Sequence, residues 1–180
     1  MTTFDPGNDT RSRILAAARE LFAERGYAGT SLADIAAAVG LTKTAVAYHF
    51  HPKDRLAAEL ITPAAEDVLR LLGMDFGDDR AAYIRAFVSF AVRHRTVIRL
   101  LMEDIGGADD AAPGTTGEAI RTFRDELYRR LAGDDPDHTN RIRAWAVLGC
   151  VQAAVVKTTE LPAEPVEEAV VRAALAVYQS

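Results

Sequence analysis

Cysteine is almost absent from this sequence, because Cys150 is the one cysteine among 180 residues. A single thiol cannot build a disulfide framework or a zinc site made of several cysteines, and this scarcity is typical of proteins from a reducing compartment. Long apolar runs are missing too. The longest nearly apolar stretch, residues 144–156, has 13 residues and includes Gln152, whereas about 20 are needed to span a bilayer. Since nothing resembles a secretion signal, we expect a cytoplasmic protein with no membrane partner.

The sequence also lacks the short motifs on which many enzyme families depend. It contains no G-x-S-x-G, HExxH, P-loop or GxGxxG pattern. The adjacent acidic pairs Glu103-Asp104 and Asp134-Asp135 point to different helix faces and therefore do not predict a catalytic pair. His49 has no second metal ligand at suitable spacing on its own helix. We expect no catalytic site, no metal and no cofactor.

Strand-like alternation of apolar and polar residues is absent as well, which predicts an all-α fold. The net charge of −5 is unevenly distributed. Residues 1–60 hold seven Lys/Arg and seven Asp/Glu, so residues 61–180, with 14 and 19, carry the whole excess. A neutral amino-terminal part with locally clustered cations can bind DNA although the chain is acidic.

The stretch from residue 31 to about residue 50 predicts two short helices joined by a tight turn. Ser31 can cap the first helix through its hydroxyl, while Asp34 returns a bond to the Ser31 amide, as in a capping box. Gly40 can end this helix in a left-handed conformation without a Cβ clash. Thr42 can then cap the second helix. This arrangement is that of a helix-turn-helix motif.

Apolar residues at helical spacing predict further helices on both sides of this motif. We expect the first helix to begin at Asp9 or Thr10, and a long connector helix to begin near Pro52 and to bend at Pro63. Breaks between the later helices are predicted at residues 73–79, 94–96, 106–117 and 133–137. The Gly-rich third break is either a surface loop or the border of a ligand entrance.

The stretch Ala144–Val156 is apolar on almost every face of the helix that it predicts. Such a helix must be covered from both sides, and in a small body one side can be covered by the chain's own core and the other by a second copy. We therefore predict a homodimer. The candidate interface residues on this helix and the next are Gly149, Ala153, Val156, Val170, Ala173 and Val177.

Larger apolar side chains in the same part of the chain allow two interpretations. They either line a cavity for a small molecule or form ordinary core, since both have the same sequence signature. The candidate pocket residues are Phe87, Phe90, Met102, Phe123 and Trp145.

Four short segments agree together in spacing and residue type with one known family: Asp34-Ile35-Ala36, Gly40-Leu41-Thr42-Lys43, Tyr48-His49-Phe50 and Lys53-Asp54-Arg55-Leu56. In these residues the chain resembles the tetracycline-repressor-like (TetR) transcriptional regulators. Residues 1–9, which contain Gly and Pro and show no apolar periodicity, are predicted to form a mobile arm. The resemblance implies a three-helix DNA-binding head at 10–56 and an effector-binding and dimerisation body at 57–180. It also implies a homodimer whose recognition helices enter successive major grooves of a palindromic double-stranded DNA operator, and a small-molecule effector.

The resemblance assigns Lys43 and Thr44 to the start of the recognition helix, where base edges and phosphates are reached. The DNA-contact candidates are Ser31, Thr42, Lys43, Thr44, Ala45, Tyr48, His49 and Lys53. Arg11 or Arg13 either contacts a phosphate or is a solvated surface charge. The family often has glycine at the position of Thr44 and tyrosine at that of Ala47, so we expect an altered operator preference.

The sequence thus predicts a one-component transcriptional regulator, a repressor released from its operator when an effector changes the spacing of the two heads. An all-helical dimeric adaptor that binds protein and keeps the head only as structure is an alternative, and salt-dependent binding to DNA upstream of its own gene discriminates the two. A helical enzyme acting on small molecules is a further alternative, which turnover of a bound ligand would support.

Overall fold

The computed structural model describes residues 6–104, 116–134 and 136–179. In these ranges every regular element is a helix, which confirms the all-α prediction. The helices are α1 (Pro6–Arg25), α2 (Leu32–Val39), α3 (Lys43–His49), α4 (Lys53–Gly73), α5 (Arg80–Arg93), α6 (Arg95–Asp104), α7 (Thr116–Ala132), α8 (His138–Lys157) and α9 (Ala163–Gln179). No helix in the described part of the chain is long and apolar enough to cross a membrane.

The chain divides into two compact units, Met1–Ala65 and Glu66–Ser180, called here the amino-terminal unit and the carboxy-terminal unit. The division falls within α4, nine residues after the predicted domain boundary at residue 56. Pro63 lies inside α4 at an exposed position, and the helix continues past it. A proline inside a helix removes one helical hydrogen bond, and α4 is long enough to retain its other bonds on both sides of this position.

Apolar residues at helical spacing form the core of the amino-terminal unit. The side chains that are fully buried there are those of Ile14, Ala18, Ile35, Val46, Phe50 and Leu56. One polar residue, Thr30, is buried beside them. Its hydroxyl donates to the Gly26 carbonyl at 2.9 Å, with the Leu21 carbonyl at 3.2 Å, so its burial leaves no hydrogen-bonding group unsatisfied.

The first helix begins earlier than predicted. Residues 6–9, expected to belong to a mobile arm, form the first turn of α1, while residues 1–5 of that arm lie outside the described residues. Proline favours the first turn of a helix because its missing N–H has no partner there in any case, and Asp9 suits the positive end of the helix dipole. Pro6 therefore starts the helix that the apolar pattern alone placed at Asp9 or Thr10.

The core of the carboxy-terminal unit lies between α5, α8 and α9, with α7 packed on α8. The predicted break at 94–96 is confirmed, because α5 ends at Arg93 and α6 begins at Arg95. Asp137 caps α8 by accepting a hydrogen bond from the Asn140 amide at 2.7 Å. Of the predicted break at 106–117, residues 106–115 lie outside the described residues and the last two belong to α7.

Candidate nucleic-acid interface

Local hydrogen bonds define both ends of the turn between α2 and α3. Ser31 and Asp34 form the predicted capping box: the Asp34 amide donates to the Ser31 hydroxyl at 3.2 Å, and the Ser31 amide donates to the Asp34 carboxylate at 2.8 Å. The Ser31 hydroxyl also donates to this carboxylate, and it is the main reason why the pKa of Asp34 lies below its usual value. Gly40 ends α2 with a left-handed φ of 68°, and Thr42 caps α3 by accepting from the Ala45 amide at 3.1 Å.

Helix α3 presents one apolar face to the core and one polar face to solvent. Val46 and Phe50 are fully buried and anchor the helix, whereas Lys43 and Thr44 are exposed in its first turn. Tyr48 is 87% exposed, although a large aromatic side chain gains free energy from burial. A protruding cation, hydroxyl and phenol on one capped helix form a surface that can donate hydrogen bonds to phosphates and base edges.

The other DNA-contact candidates lie beside this exposed face. Ala45 and His49 are half-buried, and the His49 and Tyr48 rings meet edge to face at 5.4 Å between centroids. Ser31 and Thr42 are exposed, but their hydroxyl oxygens serve as helix caps. These two residues therefore define where α2 and α3 begin.

Lys53 does not project freely from the surface. Its ammonium group donates hydrogen bonds to the carbonyls of Tyr27 at 2.8 Å and Thr30 at 2.9 Å, and it lies 3.8 Å from the centroid of the Tyr27 ring. These carbonyls belong to the segment between α1 and α2. Lys53 thus ties the start of α4 to the segment that leads into the helix-turn-helix motif.

Tyr27 is a residue that the sequence analysis missed. A local signal does exist, since Gly26 ends α1 with a left-handed φ of 73° and the carbonyls of the segment that follows lie outside any helix, so they need donors other than a helical N–H. Nothing in the sequence, however, shows that a lysine 26 positions later supplies the donor.

Two arginines of α1, Arg11 and Arg13, also have partners within the amino-terminal unit. Arg11 forms an ion pair with Glu59, and its guanidinium lies 4.8 Å from the centroid of the Phe50 ring. Arg13 donates to the Val39 carbonyl at 2.8 Å, at the end of α2. Lys43 is therefore the cation of the recognition surface that the structure leaves most available, since no hydrogen bond or ion pair of its side chain is found in the described part of the chain.

The five predicted pocket residues are not all brought together. Phe90 is buried and meets Phe123 edge to face at 5.7 Å, and Phe87 belongs to the same core. Trp145 is 47% exposed and stacks on Tyr128 at 4.9 Å. Met102 is exposed too, with its sulfur 3.1 Å from the Gln152 amide nitrogen.

The predicted dimer residues differ in exposure. Gly149 and Ala153 on α8 and Ala173 on α9 are exposed, whereas Val156 and Val177 are half-buried against the core. Val170 is 6% exposed and packs inside its own chain. Two large apolar side chains on α8, Ile142 and Trp145, extend the exposed face that Gly149 and Ala153 begin.

Residues 14–60 match the family model described as bacterial regulatory proteins, tetR family. Among curated proteins, the HTH-type transcriptional regulator TtgR of Pseudomonas putida is 41% identical over 59 residues, which cover 33% of this chain and 28% of that protein. The match thus spans less than a third of the length of this relative. It confirms the resemblance seen in the sequence.

Solved structures extend the similarity over nearly the whole chain. A transcriptional regulator from Rhodococcus sp. Rha1 is 26% identical with a TM-score of 0.57, over 94% of this chain and 96% of that one. NalD, the secondary repressor of the MexAB-OprM multidrug efflux pump in Pseudomonas aeruginosa, is 25% identical with a TM-score of 0.53, over 92% of this chain and 95% of that one. The carboxy-terminal unit therefore shares its helical architecture with such regulators.

Proposed function

Because residues 14–60 carry the amino-terminal domain of the bacterial tetR family of regulatory proteins, we propose that this chain is a cytoplasmic DNA-binding regulator of transcription that acts as a repressor. The observation that carries the proposal is the exposed face of α3, where Lys43, Thr44 and Tyr48 protrude from a helix capped at its start and anchored by two buried side chains. The names of the relatives, all transcriptional regulators, speak against an enzyme.

Each protruding side chain of α3 has a chemical role in this proposal. The Lys43 ammonium suits a phosphate or the acceptors of guanine, and the methyl and hydroxyl groups of Thr44 suit a thymine methyl or a polar base edge. The Tyr48 hydroxyl donates to a phosphate. Ala47 lacks the hydroxyl with which a tyrosine at this position would contact a DNA phosphate. Lys53 stabilises the segment that leads into α2 by donating hydrogen bonds to two of its carbonyls, and so helps to hold the helix-turn-helix motif in place.

The test measures binding of the purified chain to double-stranded DNA from directly upstream of its own gene, by fluorescence anisotropy at several salt concentrations. In a dimer, Lys43→Ala should weaken binding about tenfold and reduce the log–log salt slope by about 2, because each copy loses one phosphate contact. Lys157→Ala, which removes an exposed lysine from α8 in the other unit, should bind as the wild type does. Unchanged affinity of Lys43→Ala at every salt concentration would contradict the assigned role.

The carboxy-terminal unit is proposed to form the homodimer and to bind a small-molecule effector. The support for the dimer is the exposed apolar face of α8, since an exposed apolar patch marks an interaction site. Two copies place two α3 helices on a palindromic operator with half-sites about one helical turn apart. An effector that binds more tightly to the form unable to bind the operator then weakens DNA binding by its differential affinity for the two forms.

A further inference from the structure

The carboxy-terminal unit contains a cavity of about 350 Å³ that none of the predicted pocket residues lines. Its walls come from the segment between α4 and α5, the first turn of α5 and the end of α7. The lining residues that bear on ligand binding are Phe76, Arg80, Tyr83, Arg129, Arg130 and Asp134. This volume lies at the lower end of the range of about 300–1,000 Å³ for small-molecule sites, so the cavity suits a compact ligand.

Tyr83 contributes a buried hydroxyl without a partner. Its side chain is 2% exposed, and its oxygen has no hydrogen-bond partner among the described residues. A buried polar group without a hydrogen bond destabilises the folded state by its desolvation cost, and native structures contain few such groups. Burial keeps this phenol protonated by raising its pKa. The hydroxyl is therefore a donor that a bound acceptor would satisfy.

The three arginines of the cavity differ in how many hydrogen bonds their guanidinium groups already make within the chain. Arg129 donates to Glu126 at 2.8 Å and to Asp134 at 3.0 Å, and Arg130 donates to Glu126 and to the Leu72 and Met74 carbonyls. The guanidinium of Arg80, by contrast, makes a single hydrogen bond within the described part of the chain, to the Gly77 carbonyl at 3.1 Å. Its remaining N–H groups are free to bind a ligand.

Arg80 and Tyr83 stand three positions apart on α5 and so share one side of the helix. The Phe76 ring meets the Tyr83 ring edge to face at 5.4 Å, which adds an apolar wall beside these donors. Among the lining residues are three arginines and two aspartates, and Glu126, which is not a lining residue, pairs with both Arg129 and Arg130. Arg80 is therefore the lining cation without a carboxylate partner in the described part of the chain, and it matches one negative charge.

We propose that this cavity binds a small aromatic carboxylate, with its carboxylate on Arg80 and the Tyr83 hydroxyl and its ring against Phe76. A carboxylate accepts from a guanidinium and a phenol together, and both bonds gain strength from its charge. The site is separate from the predicted aromatic pocket, and the proposal concerns binding only. It therefore holds whether or not the amino-terminal unit binds DNA.

The experiment titrates the full chain by isothermal calorimetry with three probes: benzoate, its neutral analogue benzamide, and inorganic phosphate. Benzoate is expected to bind with a Kd of about 1 mM or below, and benzamide and phosphate at least tenfold more weakly. Absence of benzoate binding up to about 10 mM would overturn the proposal. So would tighter binding of phosphate than of benzoate, or equal binding of benzamide.

Two variants locate the site. Arg80→Gln should weaken benzoate binding about tenfold or more, whereas Arg85→Gln, at an exposed position on the same helix that does not line the cavity, should leave it unchanged. Tyr83→Phe should weaken it about threefold to tenfold without lowering the unfolding temperature of the free protein, because it removes an unsatisfied hydroxyl. Wild-type affinity in Arg80→Gln would place benzoate elsewhere and overturn the proposal, even if Tyr83→Phe failed to fold.

Discussion

At the scale of single residues, Lys53 illustrates how much a side chain's role depends on its partners. The family resemblance places it among residues that contact DNA or support the recognition helix. In the structure its ammonium lies between two carbonyls and an aromatic ring, and both carbonyls belong to the segment between α1 and α2. Lys43, on the exposed face of α3, has no such internal bonds in the described part of the chain.

This difference leads to a prediction for matched lysine variants. Lys53→Met should lower the free energy of unfolding by about 1–2 kcal/mol, because it removes charge-assisted hydrogen bonds and keeps most of the side-chain volume. It should also weaken DNA binding, since the segment before α2 loses its tie to α4. Chemical denaturation and anisotropy measure the two effects.

Lys43→Met provides the control, with weaker DNA binding and unchanged stability. If Lys53→Met behaved in the same way as Lys43→Met, with a reduced salt slope and wild-type stability, Lys53 would be a phosphate contact rather than a supporting residue.

At the scale of helices, Asp67 joins α4 to α5 within the carboxy-terminal unit. Its carboxylate lies 2.7 Å from Nε2 of His94, directly after α5, and also pairs with Arg70 at 2.5 Å and Arg93 at 3.4 Å. The hydrogen bond with His94 is the main cause that lowers the pKa of Asp67, and the neighbouring positive charges act in the same direction. The ionised carboxylate is therefore favoured in the folded state.

The pH dependence of stability follows from this shift. A carboxyl group whose pKa is lower in the folded chain stabilises the fold above its unfolded value of 3.8, and this contribution is lost as the pH falls through the folded value. The unfolding temperature of the wild type should exceed that of Asp67→Asn at neutral pH, and the difference should vanish in acid.

Asp78→Asn serves as the control, since Asp78 is exposed and no side-chain hydrogen bond of its carboxylate is found in the described ranges. It should follow the wild type at every pH. A gap between wild type and Asp67→Asn that stayed constant from neutral pH into acid would show that the ionisation of Asp67 does not stabilise the junction of α4 and α5.

At the scale of the whole molecule, α8 has an apolar face that a single chain leaves exposed to solvent. Ile142 is 69% exposed and Trp145 47%, and the small residues Gly149 and Ala153 continue the same face towards the end of the helix. Small residues allow two helices to approach closely, while the large ones supply apolar area for burial. A second copy of the chain is the partner that this face is proposed to bind.

The dimer is tested by placing a charge on this face. Ala153→Arg should convert the dimer to a monomer at micromolar concentration, because a twofold interface brings the two introduced cations together and removes them from water. Multi-angle light scattering measures the mass. Ala16→Arg, the same change at an exposed position of α1, should remain dimeric, and a dimeric Ala153→Arg would place the interface elsewhere.

Most helices of this protein and its helix-turn-helix motif could be predicted from the sequence alone, because local interactions determine them. The caps at Ser31 and Thr42 and the left-handed Gly40 act over a few residues, through hydrogen bonds and steric limits that do not depend on the rest of the fold. The break between α5 and α6 is also evident in the local apolar pattern. The start of α1 differs from the prediction, because the apolar pattern points to Asp9 or Thr10 whereas Pro6 occupies the first turn.

The remaining features depend on residues that are distant in sequence. Lys53 reaches carbonyls more than 20 residues earlier, and the cavity around Tyr83 joins segments about 50 residues apart. Which apolar residues become core and which become surface also depends on tertiary packing, since buried Phe90 and exposed Trp145 have the same chemical character in the sequence. The sequence alone therefore determined the helices and the recognition motif, because capping and periodicity are local. Only the tertiary structure decided which side chains support that motif, line a cavity or remain free for a partner, because those roles arise from contacts between distant segments.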